Sequence, residues 1–210
     1  MQDYRNELWQ AQDWVEQLIG NTTTADLDAQ TPCEEFTVRG LLSHLMQVGN
    51  VIAQLPVLGE NPYGSEVLDP NAKVAVLEEI TAGTIDGKTP QQWAAAWREL
   101  ANATRKHWTD EKLDRDYPMP WGVTLSGAET VVLYLSEVLC HGYDLAKSTG
   151  QSVEVPDPTV AERAMTVVPK LISNDYRGHE HGVPFEPAVT PPADAGPTVR
   201  LAAFLGRAMD

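Results

Sequence analysis

Positive charge is scarce in this chain. Fifteen Lys and Arg face 30 Asp and Glu, leaving a formal net charge of −15 at pH 7. So acidic a chain argues against binding through nucleic-acid phosphates or anionic lipid, which requires a basic surface. Cysteine is scarce too. Cys33 and Cys140 are the only two, far apart and without a CxxC spacing, so no disulfide framework is implied. In a reducing compartment both are expected to be thiols. The N-terminus, MQDYRNELWQ, lacks the basic start and apolar run of a signal peptide. The longest dense apolar stretch, residues 131–140, is interrupted by Ser136 and Glu137 and is too short to span a bilayer. We find no internal repeat and no low-complexity tract. The expectation is a cytoplasmic protein that binds neither membrane nor nucleic acid.

What is present reads as helix. At 210 residues and 42% hydrophobic content, the chain suits one globular unit with a sizeable core. Tyr4, Leu8, Ala11, Val15 and Leu18 recur at three- and four-residue steps, predicting a helix over 3–19. A second helix is expected over 37–55, from Thr37 as N-cap to the residue before Pro56. Leu41, His44, Val48, Val51 and Leu55 form its inward stripe, which places His44 in the middle of an apolar face. Residues 56–90 read as an irregular crossing with a short helix over 72–80. Thr89-Pro90 then opens a third helix, with Trp93, Trp97, Leu100, Thr104 and His107 on one face. The Pro-, Trp- and Gly-containing stretch 113–127 suits a short hairpin. A fourth helix over 126–148 is apolar nearly all round and therefore central. Further helices are expected over 158–172 and 198–209. The fold class is all-α: an antiparallel four-helix bundle over 1–150, with short additional C-terminal helices over 151–210 packed on it.

Glu137 needs an explanation. It interrupts the most apolar helix, and an unpaired carboxylate in such a place costs on the order of several kcal/mol. His141 lies four residues on, about 40° round the helix and one turn along it, with Asp144 on the same stripe. Together with inward-facing His44, one Glu and two His converge from two helices as a first shell for zinc or a similar divalent ion. Three protein ligands would leave a position open for water or substrate, and Asp144 would orient His141. Spacing alone leaves a second reading open: a buried Glu–His hydrogen bond, with His44 as an ordinary core residue.

At these residues the chain resembles a known family. Residues 31–45, TPCEEFTVRGLLSHL, are similar to the TPC-x-x-[WF]-x-V-x-x-L-x-x-H-L opening of DinB-like, mycothiol-dependent maleylpyruvate isomerase N-terminal domains. Residues 136–146, SEVLCHGYDLA, resemble their E-x-x-x-H-G-[WY]-D-L-A helix. The pieces Val183-Pro184-Phe185 and Ala203-Phe204-Leu205-Gly206-Arg207 are similar too, so the resemblance covers nearly the whole chain. It implies a DinB-type bundle holding a metal, zinc or another divalent ion such as nickel, on His44, Glu137 and His141. It also implies a small-molecule thiol, mycothiol, as cosubstrate. In the characterised isomerase a zinc-bound thiol adds to a carboxylate-bearing double bond and permits cis–trans isomerisation, and related bundles are proposed thiol S-transferases. The functional expectation is therefore a metal- and thiol-dependent isomerase or transferase acting on a small electrophile, as a monomer or homodimer. Two other readings are a non-catalytic metal-binding or small-molecule-sensing protein, and a metal-assisted hydrolase. One feature departs from the family. No arginine lies between Arg39 and Arg98, where the isomerase is thought to place one for its dianionic substrate; only Lys73 and Lys88 are there. Lysine does not replace a bidentate clamp, so maleylpyruvate is not carried over.

Other chemistry-bearing residues receive plainer readings. Cys140 lies about 60° off the metal stripe and reads as core. Cys33 precedes a helix whose dipole would lower its pKa, against the opposing charges of Glu34 and Glu35. Tyr134, one turn before Glu137, is placed in the pocket wall. His107 reads as partly exposed beside Trp108, Arg39 as a surface residue, and His179-Glu180-His181 as a solvated turn.

Overall fold

The computed structural model describes residues 2–63, 88–172, 177 and 185–209. Seven helices and one hairpin occupy them: α1 Arg5–Asn21, α2 Val38–Leu58, α3 Pro90–His107, α4 Asp110–Leu113, β1 Asp116–Pro118, β2 Thr124–Ser126, α5 Gly127–Ser148, α6 Pro158–Leu171 and α7 Pro197–Phe204. The all-α class holds. The expected helix over 72–80 and the His179-Glu180-His181 turn lie outside the described residues.

Helix starts follow local chemistry closely. Thr37 caps α2 by accepting from the Gly40 N–H. Thr89 and Gln92 close a capping box on α3, with Pro90 at the first position. Ser126 and Glu129 do the same for α5. Helix ends are less local. Helix α2 runs past Pro56 to Leu58, although proline cannot donate to the carbonyl four residues back. That carbonyl belongs to Ile52, and it accepts instead from the Trp108 indole N–H at 2.9 Å. The next carbonyl, Ala53, accepts from His107 Nδ1–H at 2.7 Å. A neighbouring helix thus supplies what the proline removes.

Helices α1, α3, α2 and α5 form the bundle in that cyclic order, so α1 stands opposite α2 and α3 opposite α5. Helices α1 and α3 run antiparallel: Trp97 donates to the Gln12 carbonyl, while Gln91 donates to Gly20. Helices α2 and α3 run parallel, because Gly49 meets Trp97 and Ala53 meets His107 further along both. Two parallel neighbours consecutive in sequence need a connection that returns the length of α2, about 31 Å for its 21 residues. The expected antiparallel packing therefore applies to α1/α3 and α2/α5, the second of which carries the site. Helix α2 is long and apolar enough to cross a membrane, yet 67% of its apolar window is buried inside the protein, as befits a core helix.

The hairpin pairs Tyr117 with Leu125 and delivers the chain into the α5 cap. Helices α6 and α7 pack on α5 and on each other. Two carboxylates anchor them: buried Glu7 of α1 pairs with Arg163 of α6, and Glu154 accepts from the Thr198 and Val199 N–H groups at the start of α7. Gly142 sits where α5 meets α1. A methyl group there would overlap the Trp14 ring, so the glycine of the quoted motif permits the close approach.

Candidate metal centre

Antiparallel α2 and α5 bring His44, Glu137 and His141 together. One donor atom from each lies within 4.8 Å of the others. The two imidazoles meet edge to face with centroids 4.7 Å apart. Phe36, from the connector before α2, stacks on His44 at 5.0 Å and reaches the edge of His141 at 6.4 Å. The TPC segment explains how Phe36 is held. Thr31 donates through Oγ1 to the Cys33 and Phe36 carbonyls, both at 2.8 Å, and Gln30 bridges to Thr37. Nothing in the spacing of the chain marks Phe36 as a neighbour of the two histidines.

Asp144 is fully buried and accepts from His141 Nδ1 at 3.0 Å. Since an ionised carboxylate only accepts, Nδ1 must carry the proton. The other nitrogen, Nε2, then faces Glu137 Oε2 at 3.4 Å, long for a hydrogen bond. In neutral His141 that nitrogen would present a lone pair to an anion, with His44 alongside. The arrangement calls for a positive charge between them. A proton is one answer: burial opposes the imidazolium, but hydrogen bonds and charges from Asp144 and Glu137 outweigh burial and hold the His141 pKa above its ordinary value. A divalent cation is the other. Zinc bond lengths of about 2.1 Å place tetrahedral donors about 3.4 Å apart, which asks only small shifts of this cluster. The donor set, two imidazoles and a carboxylate, suits zinc and its neighbours. Glu137 is 15% exposed rather than dry, so the cluster is partly open to solvent.

Behind Asp144 stands a residue the sequence reading did not assign to the site. Arg207 Nε donates to both Asp144 oxygens at 2.9 and 3.0 Å. A helix was expected to continue to residue 209, but α7 ends at Phe204. Gly206 N–H bonds the Ala203 carbonyl and Arg207 N–H the Ala202 carbonyl, with Gly206 at φ 92°. That Schellman ending turns Arg207 back onto α5. The Gly-Arg pair belongs to the family-like segment, but its partner lies 63 residues earlier, beyond the reach of any local pattern.

Other expected residues fall into place or out of it. Tyr134 lies one turn before Glu137, half-buried, its phenol pKa raised by burial and by the Glu137 carboxylate. Burial pushes the Cys33 thiol up to about 11 and Cys140 well above its ordinary value, so neither is an activated nucleophile. Arg39 is exposed and pairs with Asp28. Trp93, Trp97 and Trp108 are core.

The fold and the donor cluster define a DinB-like helical bundle. The chain belongs to the mycothiol maleylpyruvate isomerase N-terminal domain family, whose model matches residues 8–146. It is similar to an uncharacterised protein of Mycobacterium tuberculosis, found in two strains, with 30% identity over 201 residues, 94% of this chain and 93% of the relative. Among solved structures it is similar to a histidine-to-alanine mutant of the mycothiol-dependent maleylpyruvate isomerase. The TM-score is 0.56 with 15% identity, over 80% of this chain and 72% of that one. At that identity the likeness speaks for the fold alone.

Proposed function

We propose that this protein is a cytoplasmic, metal- and thiol-dependent enzyme, an isomerase or S-transferase that joins a low-molecular-weight thiol, mycothiol, to a small electrophile. The observation that carries the reading is the convergence of donor atoms of His44, Glu137 and His141 within 4.8 Å, the first two residues only partly buried, in a chain of a mycothiol-associated family. These three residues would hold zinc or another divalent ion such as nickel. When bound, such a cation stabilises the thiolate of a coordinated thiol near neutral pH. The chain's own residues do the rest. Asp144 keeps the His141 proton on Nδ1 and leaves Nε2 free to ligate. Phe36 stacks on His44 and meets His141 edge-on, and Tyr134, close enough to feel the Glu137 charge, would line the substrate pocket. Maleylpyruvate is not proposed as the substrate, because the stretch between Arg39 and Arg98 holds no arginine.

Metal analysis of protein purified without a histidine tag tests the site. Wild type is expected to hold one equivalent and His44→Ala to lose it; equal absence from both would overturn the site. Calorimetry of metal-loaded protein with mycothiol, glutathione and coenzyme A then tests the cosubstrate. Heat with mycothiol is expected, and no heat with any thiol would point to a sensor or hydrolase instead.

A further inference from the structure

Arg177 is a buried arginine, 6% exposed, that the proposed chemistry does not use. Its Nη1 donates to two backbone carbonyls from different segments: Phe204 at 2.6 Å and Glu186 at 3.0 Å. Its guanidinium lies over the Phe204 ring, 4.2 Å from the centroid. Nε and Nη2 are buried with no acceptor among the described residues. Both hydrogen-bond acceptors it has among the described residues are neutral carbonyls, and burying a guanidinium on such partners is costly where an apolar side chain could fill the space. What the arginine supplies is geometric.

Phe204 is the last residue of α7, so its carbonyl is one the helix itself leaves unbonded. A cation there also complements the helix C-terminus. The Glu186 carbonyl is the second anchor, and it lies against Gly206: a Cβ on that glycine would come within 2.7 Å of it. Val189 N–H bonds the Ala203 carbonyl at 3.0 Å, fastening the same segment to α7. Arg177 thus pins residue 186 and the end of α7 around the Gly206 turn. The residue leaving that turn is Arg207, which grips Asp144, which holds His141 Nδ1.

We propose that Arg177 is a positioning residue for His141, acting through the Gly206 turn, Arg207 and Asp144. The C-terminal segment then sets the aim of a ligand on α5, rather than merely covering the bundle. This rests on the reading of His44, Glu137 and His141 as a metal centre.

Two measurements on the full-length protein test it: zinc affinity by chelator competition, and the downfield Nδ1 proton resonance of His141 in metal-free protein. Arg207→Gln is expected to weaken zinc binding about 10- to 100-fold, as loss of an outer-shell partner does. Arg177→Met is expected to weaken it about 3- to 10-fold, a part of that loss because the contact is indirect. The double variant should be no worse than Arg207→Gln, because both changes cut one chain. Should Arg177→Met not fold, Arg177→Lys, which cannot bridge both carbonyls and stack, is expected to show a smaller loss in the same direction. Unchanged zinc affinity in a folded Arg177 variant with lowered Tm would make Arg177 a staple only and overturn the proposal. Multiplying losses in the double variant would overturn it too. If wild type binds no zinc, the metal reading fails by itself, and the Nδ1 resonance decides the chain. Its exchange broadening in both Arg177→Met and Arg207→Gln supports the proposal; persistence in Arg177→Met overturns it.

Discussion

The α1/α3 and α2/α5 interfaces are both antiparallel, yet opposite principles hold them. Between α1 and α3 the inside is a tryptophan core: Trp93 and Trp97 are buried, and the Trp97 indole is satisfied by the Gln12 carbonyl. Charges stay at its rim, where Arg98 meets Glu16 and Arg105 meets Asp13. Between α2 and α5 the charge is inside. Glu137, His141 and Asp144 line up along α5, His44 faces them, and Arg207 closes the row. The first interface derives stability from area removed from water. The second holds polar groups that apolar residues could replace at little cost to folding. It is therefore the part of the molecule to be explained by binding.

That contrast can be broken from either side. The largest effect on folding is expected on the apolar side: Trp97→Ala should cost about 3–5 kcal/mol of stability, read by denaturant unfolding. The zinc affinity of the molecules that remain folded should stay within a few-fold of wild type. A large loss of affinity would show that the two interfaces are not separable. On the polar side, Glu137→Gln keeps the shape and removes the charge. Zinc binding should weaken at least about 10-fold, while the metal-free protein unfolds within about 1 kcal/mol of wild type. A strongly destabilised metal-free variant would mean that Glu137 serves folding through its charge beside His141.

The smallest effect is the pH dependence. The folded pKa of His141 is raised above its ordinary 6.5. In metal-free protein its contribution to stability is therefore fully present below the unfolded pKa and is lost as pH rises through the folded one. Metal reverses the sign, because it must displace the proton, so the stabilisation conferred by zinc grows with pH. Tm measured with and without zinc across this range should diverge upward. Parallel curves would show that proton and metal do not compete for Nε2.

Much of this was legible in the sequence, for identifiable reasons. The caps at Thr37 and Thr89 are local hydrogen bonds, and both hold; the fourth helix starts where expected, with Ser126 as its cap. Glu137 and His141 share a helix face whatever surrounds them. Pro56 misled because its missing hydrogen bond is offset by Trp108, a residue 52 positions away by numbering. The expected helix to residue 209 overlooked that Gly206 would take a positive φ. Phe36 stood in a quoted motif, but nothing local showed that it would stack on His44.

The sequence by itself determined the helices, their inward stripes and the presence of a carboxylate and an imidazole one turn apart, because helical periodicity is a property of the chain alone. Tertiary structure alone decided that α2 runs parallel to α3 and antiparallel to its neighbour α5, that His44 meets Glu137 and His141, and that Arg207 and Arg177 stand behind Asp144. Those are contacts between segments far apart in the chain. Their geometry depends on how whole helices pack, and no spacing within one helix encodes it.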